Sequence, residues 1–498
     1  MTTLVKNGLV VDGTGREPYR ADIFIKNGII TAMGDLGRQR ADRIVHASGL
    51  YVSPGFIDAS ITSDHFLNIL RFPEQDDFLR NGVTTIIGGM CGSSLAPLLS
   101  GGLHSVRKWG NIGGLNIGWT GVEDFFKAIR GMRPGVNFST FIGHSTLRRE
   151  ISGQIPRDLT ESEIEAMETL VQSGMLEGAQ GVSTGLEFIH AKNAPHFELL
   201  RVLAVAARNG GMHATHLRDY GSGLTKAVHE ICDLGEEVGI VTIVSHLQPR
   251  RGFEIEFRDA LRIIGATQHD RVWFDISPRS EYVEPLYLKL PDWAKRNNFE
   301  AMNYIVSDKA KRKKIITELP VLPMSTKIIS QEMSNFSRPK TFREFTNARS
   351  IIDPREALLE LMIATDLRSL LILNDLDDGQ IDTALVHPRA LVASYGIGHV
   401  TGSGISFSNA LPMFIARMTK IKAFSLATAI QRITSLPARI FNIRGRGQLI
   451  EGYAADIAIF DANNKSINIH VTLVNGEVAF EAGRATGNRN GQMLLRSV

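Results

Sequence analysis

Cysteine is almost missing from this chain: Cys91 and Cys232 are the two thiols in 498 residues. Two thiols cannot build a disulfide framework, so a reducing compartment is the expected one. Net charge is equally scarce. The 55 basic residues against 52 acidic ones leave +3, too little at this size to argue for nucleic acid or an anionic membrane as partner. The basic run Lys309–Lys314 and the pair Arg250–Arg251 read as a solvated helix face and a basic loop. No apolar run is long enough to span a bilayer. The opening MTTLVKNGLVVDG alternates like a strand, where a signal peptide would carry a basic stretch and an apolar centre. These absences predict a cytoplasmic protein that acts on a small molecule, with no nucleic-acid or membrane partner. Its oligomeric state leaves no signature in the sequence.

What is present is an ordinary globular composition, 43% hydrophobic and 21% charged, in a chain long enough for a large domain and an accessory one. Residues 1–52 alternate with period two and carry Asn7-Gly8 and Asn27-Gly28, dipeptides suited to hairpin turns. Residues 452–483 alternate the same way around a third Asn-Gly. Either segment alone is too short for a core, and composition permits one shared module or two separate ones. From 53 to 437 the pattern is strand, loop, helix. Buried strands are expected at Val83–Ile87, Asn137–Ile142, Gly181–Thr184, Met212–His216, Ile240–Ser245, Val272–Asp275 and Ala390–Ser394. About eight such units imply an α/β fold, a (β/α)8 TIM-like barrel, with chemistry at the C-terminal strand ends. Residues 276–350 are less regular and read as an excursion or lid, and 486–498 as a C-terminal tail.

Tyr51 onward reads YVSPGFIDASITSDH and is followed by NGVTTIIGGMCGSSLAP, a strand ending at a Cys in a Gly-rich turn. Near the other end stands FSLATAIQRITSLPARIFNI, then RGQLIEGYAADIAIFD. Together these resemble the amidohydrolase superfamily and, within it, the N-acyl-D-amino-acid deacylases, or D-aminoacylases. The resemblance spans nearly the whole chain. It implies that 1–52 and 440–485 join in one β-sandwich domain beside a barrel formed by 53–437.

A catalytic zinc needs three protein ligands and one open position. Cys91, His216 and His246 each fall at or just after the end of an expected strand. Met212, Ala214 and His216 share one strand face, which leaves His213 on the other. Taken singly, each of the three reads better as a buried structural residue than as a ligand. The resemblance makes them a set, since in D-aminoacylases a Cys after the second strand and two later strand-end histidines hold the tight zinc.

Other positions depart from that family. Where its first strand has Asp-x-His-x-His, this chain has Asp58-Ala59-Ser60-Ile61-Thr62. Hydroxyls are weak zinc ligands, so the second metal is expected to be lost and one zinc retained. Asp64 and His65 follow in the adjacent loop as alternatives. Where the family has Ser-Asp-Gly, whose Asp is the general base, the match here is Ser394-Tyr395-Gly396. A phenol with a pKa of about 10 is no base at neutral pH. Losing acid–base catalysis costs about 10²–10⁴ in rate. Asp64, His65 and His144 are the candidate replacements. The segments Gly143–Arg148 and Gly181–Glu187 match family turns, placing Arg148, Ser183 and Phe188 with Gln248 in the expected substrate pocket; Phe188 stands where relatives have Tyr. For His144 and Ser183 a structural role is equally open.

Two readings follow. One is a zinc-dependent hydrolase that cleaves a non-peptide amide C–N bond with a single zinc-bound hydroxide, its substrate or rate altered. The other is a pseudoenzyme barrel with a binding or structural role.

Overall fold

The computed structural model describes all residues except 100, 116, 154–156, 297, 330–339, 399–405, 463–465 and 497–498. The chain combines α-helices with parallel and antiparallel β-sheets, and among the described residues no helix is long and apolar enough to cross a membrane.

Both chain ends enter one nine-stranded sheet. Thr2–Val10, Tyr19–Lys26 and Ile29–Gly34 pair antiparallel, while Tyr51–Pro54 links Thr2–Val10 to Ile457–Ala462 and the strands after it. The sheet curls over a core of its own that includes Val5, Ile23, Ile25, Val52, Ile457, Ile459 and Leu473. Of the three Asn-Gly pairs within 1–52 and 452–483, two turn hairpins: Asn27 and Asn475 lie at φ 52° and 48°, each followed by a positive-φ glycine. Asn7-Gly8 does not turn the chain. It is a bulge inside Thr2–Val10, with Asn7 N–H bonded to Asp22 Oδ1 at 2.8 Å. A side chain at Gly8 would press on Val52, a Cβ there meeting Cγ2 at 2.4 Å.

The central strands are buried along their whole length, which is why they read as apolar runs without alternation. Phe56–Asp58, Val83–Gly88 and Asn137–Thr140 form a parallel sheet. The last of these continues through Phe141 into Ile142–Gly143, the edge of a six-stranded parallel sheet. That sheet adds Gly181–Gly185, Met212–His216, Val241–Val244, Val272–Ile276 and Ala390–Val392. Ala59 N–H reaches the Val392 carbonyl at 3.5 Å, so the far edge returns to the first strand. Helices on the outside have local signals of their own. Glu161–Leu176 starts at a reciprocal Thr160–Glu163 capping box, and Asp378–Val386 at Asp377, whose side chain accepts Gln380 N–H.

An antiparallel sheet of Tyr282–Pro285, Leu370–Leu373, Lys327–Ile329 and Lys340–Thr341 follows the Val272–Ile276 strand. It carries the irregular passage past residue 350, to Leu373; its residues 330–339 lie outside the described ones. Residues 486–496 do not hang free. Phe138 N–H bonds the Gln492 carbonyl and Leu494 N–H the Phe138 carbonyl, at 2.9 and 2.8 Å.

A buried polar node joins these parts. Arg446 pairs with Asp456, whose Oδ2 also takes Asn137 Nδ2 at 2.9 Å; Arg446 Nη2 reaches Asn475 Oδ1 at 2.7 Å and Gln492 Oε1 at 3.0 Å. Removing one partner leaves the other charge buried and unpaired. Arg446→Met is therefore expected to lose about 3–5 kcal/mol of stability, read as a lowered urea midpoint at unchanged m-value.

Candidate metal centre

Two tight turns and one strand end bring the centre together. After Val83–Gly88 the chain enters a tight spiral turn in which Gly89, Cys91 and Gly92 take left-handed backbone, at φ 73°, 55° and 72°. Side chains at the glycines would strike backbone: a Cβ at Gly89 would lie 2.2 Å from the Phe141 carbonyl oxygen, and one at Gly92 2.6 Å from Gly185 N. Of these three positive-φ residues, only Cys91 carries a side chain. His216 ends its strand, while His213, on the opposite face, bonds Thr184 Oγ1 at 2.9 Å. His246 lies two residues past Val241–Val244 at φ 56°, its N–H held by Asp275 Oδ1 at 2.8 Å.

These turns place one donor atom each of Cys91, His216 and His246 within 4.8 Å of one another. Cys91 Sγ lies 2.8 Å from His246 Nε2 and 3.9 Å from His216 Nδ1. Tetrahedral zinc would hold S and N about 3.6 Å apart, a spacing that the two values bracket. His216 Nε2 bonds Glu187 Oε2 at 2.8 Å, which fixes the ring and turns Nδ1 inward. Burial pushes the Cys91 thiol up, against the pull of Lys108, and drives His246 down with His216 adding to it. A divalent cation between the donors reverses both tendencies, because its charge favours thiolate and neutral imidazole. One thiolate and two imidazoles are a donor set that suits zinc.

The donors open on a cavity of about 60 Å³ walled by Trp109, Phe188, Tyr220, Tyr282 and Tyr395. Glu187, Gln248, Arg250 and Glu284 supply its polar edge.

The chain was compared with known proteins. The Amidohydrolase family model matches residues 399–480. The D-aminoacylase of Alcaligenes xylosoxydans xylosoxydans is 28% identical over 99% of this chain and 97% of its own. The N-acyl-D-aspartate deacylase of that organism is 27% identical over 99% and 94%. A D-aminoacylase structure from work on its binuclear metal centre superposes with TM-score 0.82 at 25% identity, covering 99% of both chains. The N-acyl-D-glutamate deacylase of Bordetella bronchiseptica, solved with zinc and a phosphonate inhibitor, gives 0.79 at 26% with the same coverage. In sequence and in fold, the chain is similar to the D-aminoacylases over nearly its whole length.

Within that family's framework, Thr62, Phe188, Gln248 and Tyr395 line the cavity together with the donor set. Ser60 and Thr62 brace the turn opposite: Thr62 Oγ1 donates to the Tyr395 carbonyl at 2.9 Å, and the Ser60 carbonyl accepts Tyr395 N–H at 3.0 Å. Several expected site residues lie elsewhere. Asp64 Oδ2 takes Gly89 N–H at 2.6 Å and so shapes the Cys91 spiral instead of facing the cavity. His65 sits against the Ser93 carbonyl at 3.1 Å and stacks on Trp109. His144 and Arg148 are both held by Glu198, with His144 Nε2 at 2.7 Å, in a buried cluster that does not line the cavity. Ser183 Oγ donates to the Gly89 carbonyl and accepts Gly92 N–H at 3.1 Å, again supporting the spiral. Arg250 is no solvated loop residue. It lines the cavity between the rings of Tyr220 and Tyr282, 3.6 Å from Glu284.

Sequence reasoning missed Asp275. Its Oδ1 accepts both Tyr395 OH, at 2.7 Å, and His246 N–H. Burial raises this carboxyl to about 6, against those two hydrogen bonds. Tyr395 is pushed well up, by burial and then by Asp275, so the phenol keeps its proton and donates it. The strand VWFD ending at Asp275 was the available signal, a carboxylate at the same level as His246. Glu187 stood in a quoted motif without a role.

Asp58 is a second buried carboxyl raised by its surroundings, accepting Ser394 N–H at 3.0 Å and pushed to about 7 chiefly by burial. Unfolded, an aspartate titrates at about 4. A raised folded pKa stabilises fully below the unfolded value, and that contribution is lost as pH rises through about 7. Asp58→Asn is expected to flatten the fall in stability across that window, measured by urea midpoints at acidic, neutral and intermediate pH.

Proposed function

We propose that this chain is a zinc-dependent hydrolase of small N-acyl amino acids or related amides, using one metal ion held by Cys91, His216 and His246. The observation that carries the reading is the convergence of those donors at the floor of an aromatic cavity. In this reading the strands from Phe56 to Val392 are a closed (β/α)8 barrel, with the centre at their C-terminal ends. When bound, zinc would polarise the amide carbonyl and make water more acidic.

The chain's own groups supply the rest. Glu187 fixes the tautomer of His216. Trp109, Phe188 and Tyr220 keep bulk water from the donors, and Gln248 and Arg250 orient the polar end of the substrate. Tyr395 lines the cavity with Asp275 behind it. A proton leaving the attacking water passes to the Tyr395 oxygen while the phenol's own proton moves to Asp275 Oδ1. The reverse transfer protonates the departing nitrogen. A carboxyl at about 6 is suited to both directions near neutral pH.

Purified without added metal, the protein is expected to carry about one zinc per chain, lost in Cys91→Ala. Glu187→Gln is expected to weaken zinc about 10–100-fold. On a panel of N-acyl-D- and L-amino acids, Tyr395→Phe and Asp275→Asn should each lower kcat by about 10²–10⁴ with zinc retained. Equal rates for wild type and Cys91→Ala would remove metal catalysis. The phenol in the Ser394-Tyr395-Gly396 turn favours a second reading, a zinc-holding barrel used for binding; full zinc occupancy with no turnover across the panel would select it.

A further inference from the structure

Phe188 also lines a second, smaller cavity of about 20 Å³. Its walls carry His104, Lys108, Ser145, Arg149, His190 and Tyr287, and no carboxylate among the described residues. Several polar atoms here meet nothing that satisfies them. Both ring nitrogens of His190 and the Ser145 hydroxyl, in residues 4% and 2% exposed, have no hydrogen-bond partner among the described residues. His104 Nδ1 is a further such atom. Leaving a buried polar atom unsatisfied costs about 1–3 kcal/mol, so several around one space point to a polar occupant.

Two basic side chains, Lys108 and Arg149, face this space. Lys108 is pushed down to about 7, first by burial and then by Arg149. His190 is driven to about 2 by burial, then by Arg149, Lys108 and Arg148. The acids nearby are engaged. Glu300, which acts on both Arg149 and His104, pairs with Arg107 at 2.9 Å, and Glu150 holds the N–H groups of Leu99, Gly101 and Gly102. Among its contacts, Lys108 Nζ donates to Ser93 Oγ at 2.7 Å and to the Ser105 carbonyl at 2.8 Å.

We propose that this cavity binds one small monoanion of halide size, held by Lys108 and Arg149 and by the Ser145 hydroxyl and a His190 N–H. Size limits the ligand, since about 10–15 Å³ of such space holds one water-sized body. The ion also steadies the wall of the larger cavity: Lys108 Nζ lies 4.6 Å over the Phe188 ring, which packs 4.4 Å from His216. The site is separate from the proposed metal centre, and its test needs no turnover.

Crystals soaked in sodium bromide should show an anomalous peak between His190 and Ser145. In solution, chloride should raise the thermal midpoint saturably when exchanged for gluconate at constant ionic strength. Arg149→Met should abolish that response, and Ser145→Ala, kept in case the first variant does not fold, should weaken chloride at least about fivefold, by the loss of one hydrogen bond to a charged group. Identical chloride and gluconate curves, or a cavity without bromide, would overturn the proposal. So would stabilisation by acetate where chloride has no effect, because the ligand would then be a carboxylate.

Discussion

The centre depends on three side-chain-bearing residues held in left-handed backbone at strand ends: Cys91, His246 and Tyr395, at φ 55°, 56° and 54°. Each such residue costs about 1–3 kcal/mol unless its surroundings hold it. Here the surroundings are visible. Ser183 and Asp64 bond the peptides on either side of Cys91, at Gly89 and Gly92. Asp275 holds His246 N–H, and Ser60 holds Tyr395 N–H. Side chains that resembled a substrate pocket or a second metal site thus serve to bend the chain so that a thiol, an imidazole and a phenol face one point.

Two carboxylates, the half-buried Glu187 and the buried Asp275, set the electrostatics of that point. Glu187 bonds an imidazole ring directly, so it fixes which nitrogen faces inward. Asp275 bonds the backbone of the other histidine residue and the phenol beside it, so it positions both and stays ready to accept a proton. The two roles differ because of what each carboxylate touches. Burial acts to raise both; for Glu187 the bond to His216, with Arg250 and Lys295, outweighs it and the carboxyl is lowered, whereas Asp275, facing neutral donors, stays raised.

Most of the framework was legible because buried parallel strands announce themselves as short apolar runs. Val83–Gly88 and Met212–His216 fall where Val83–Ile87 and Met212–His216 were expected. Cys91, His216 and His246 were legible as a group only through strand ends and resemblance, since nothing local distinguishes a ligand from a satisfied core histidine. His144 and Arg148 show the other side of that limit. Their motif is intact, yet Glu198, far along the chain, claims both. Arg250 looked like loop surface because its neighbours are polar; its burial comes from Tyr282 and Glu284, on an insertion whose docking no local pattern encodes. Asn7-Gly8 reads as a turn by composition, but Asp22 captures the Asn7 N–H and the strand continues through a bulge.

The departures from the family pattern are coupled through charge. A second metal would bring positive charge to the mouth beside the first strand, and the family's turn carboxylate would bring negative charge to face it. In this chain both are replaced by neutral residues, tied through the backbone by Thr62 Oγ1 on the Tyr395 carbonyl and Tyr395 N–H on the Ser60 carbonyl, while the phenol turns to Asp275. Keeping either charge without the other would leave a buried ion uncompensated, at a cost of several kcal/mol. Removing both keeps the mouth balanced, and Asp275 remains as the carboxylate behind the phenol. The altered turn and the altered first strand then act as one change, which fits the single ion and relayed proton proposed above.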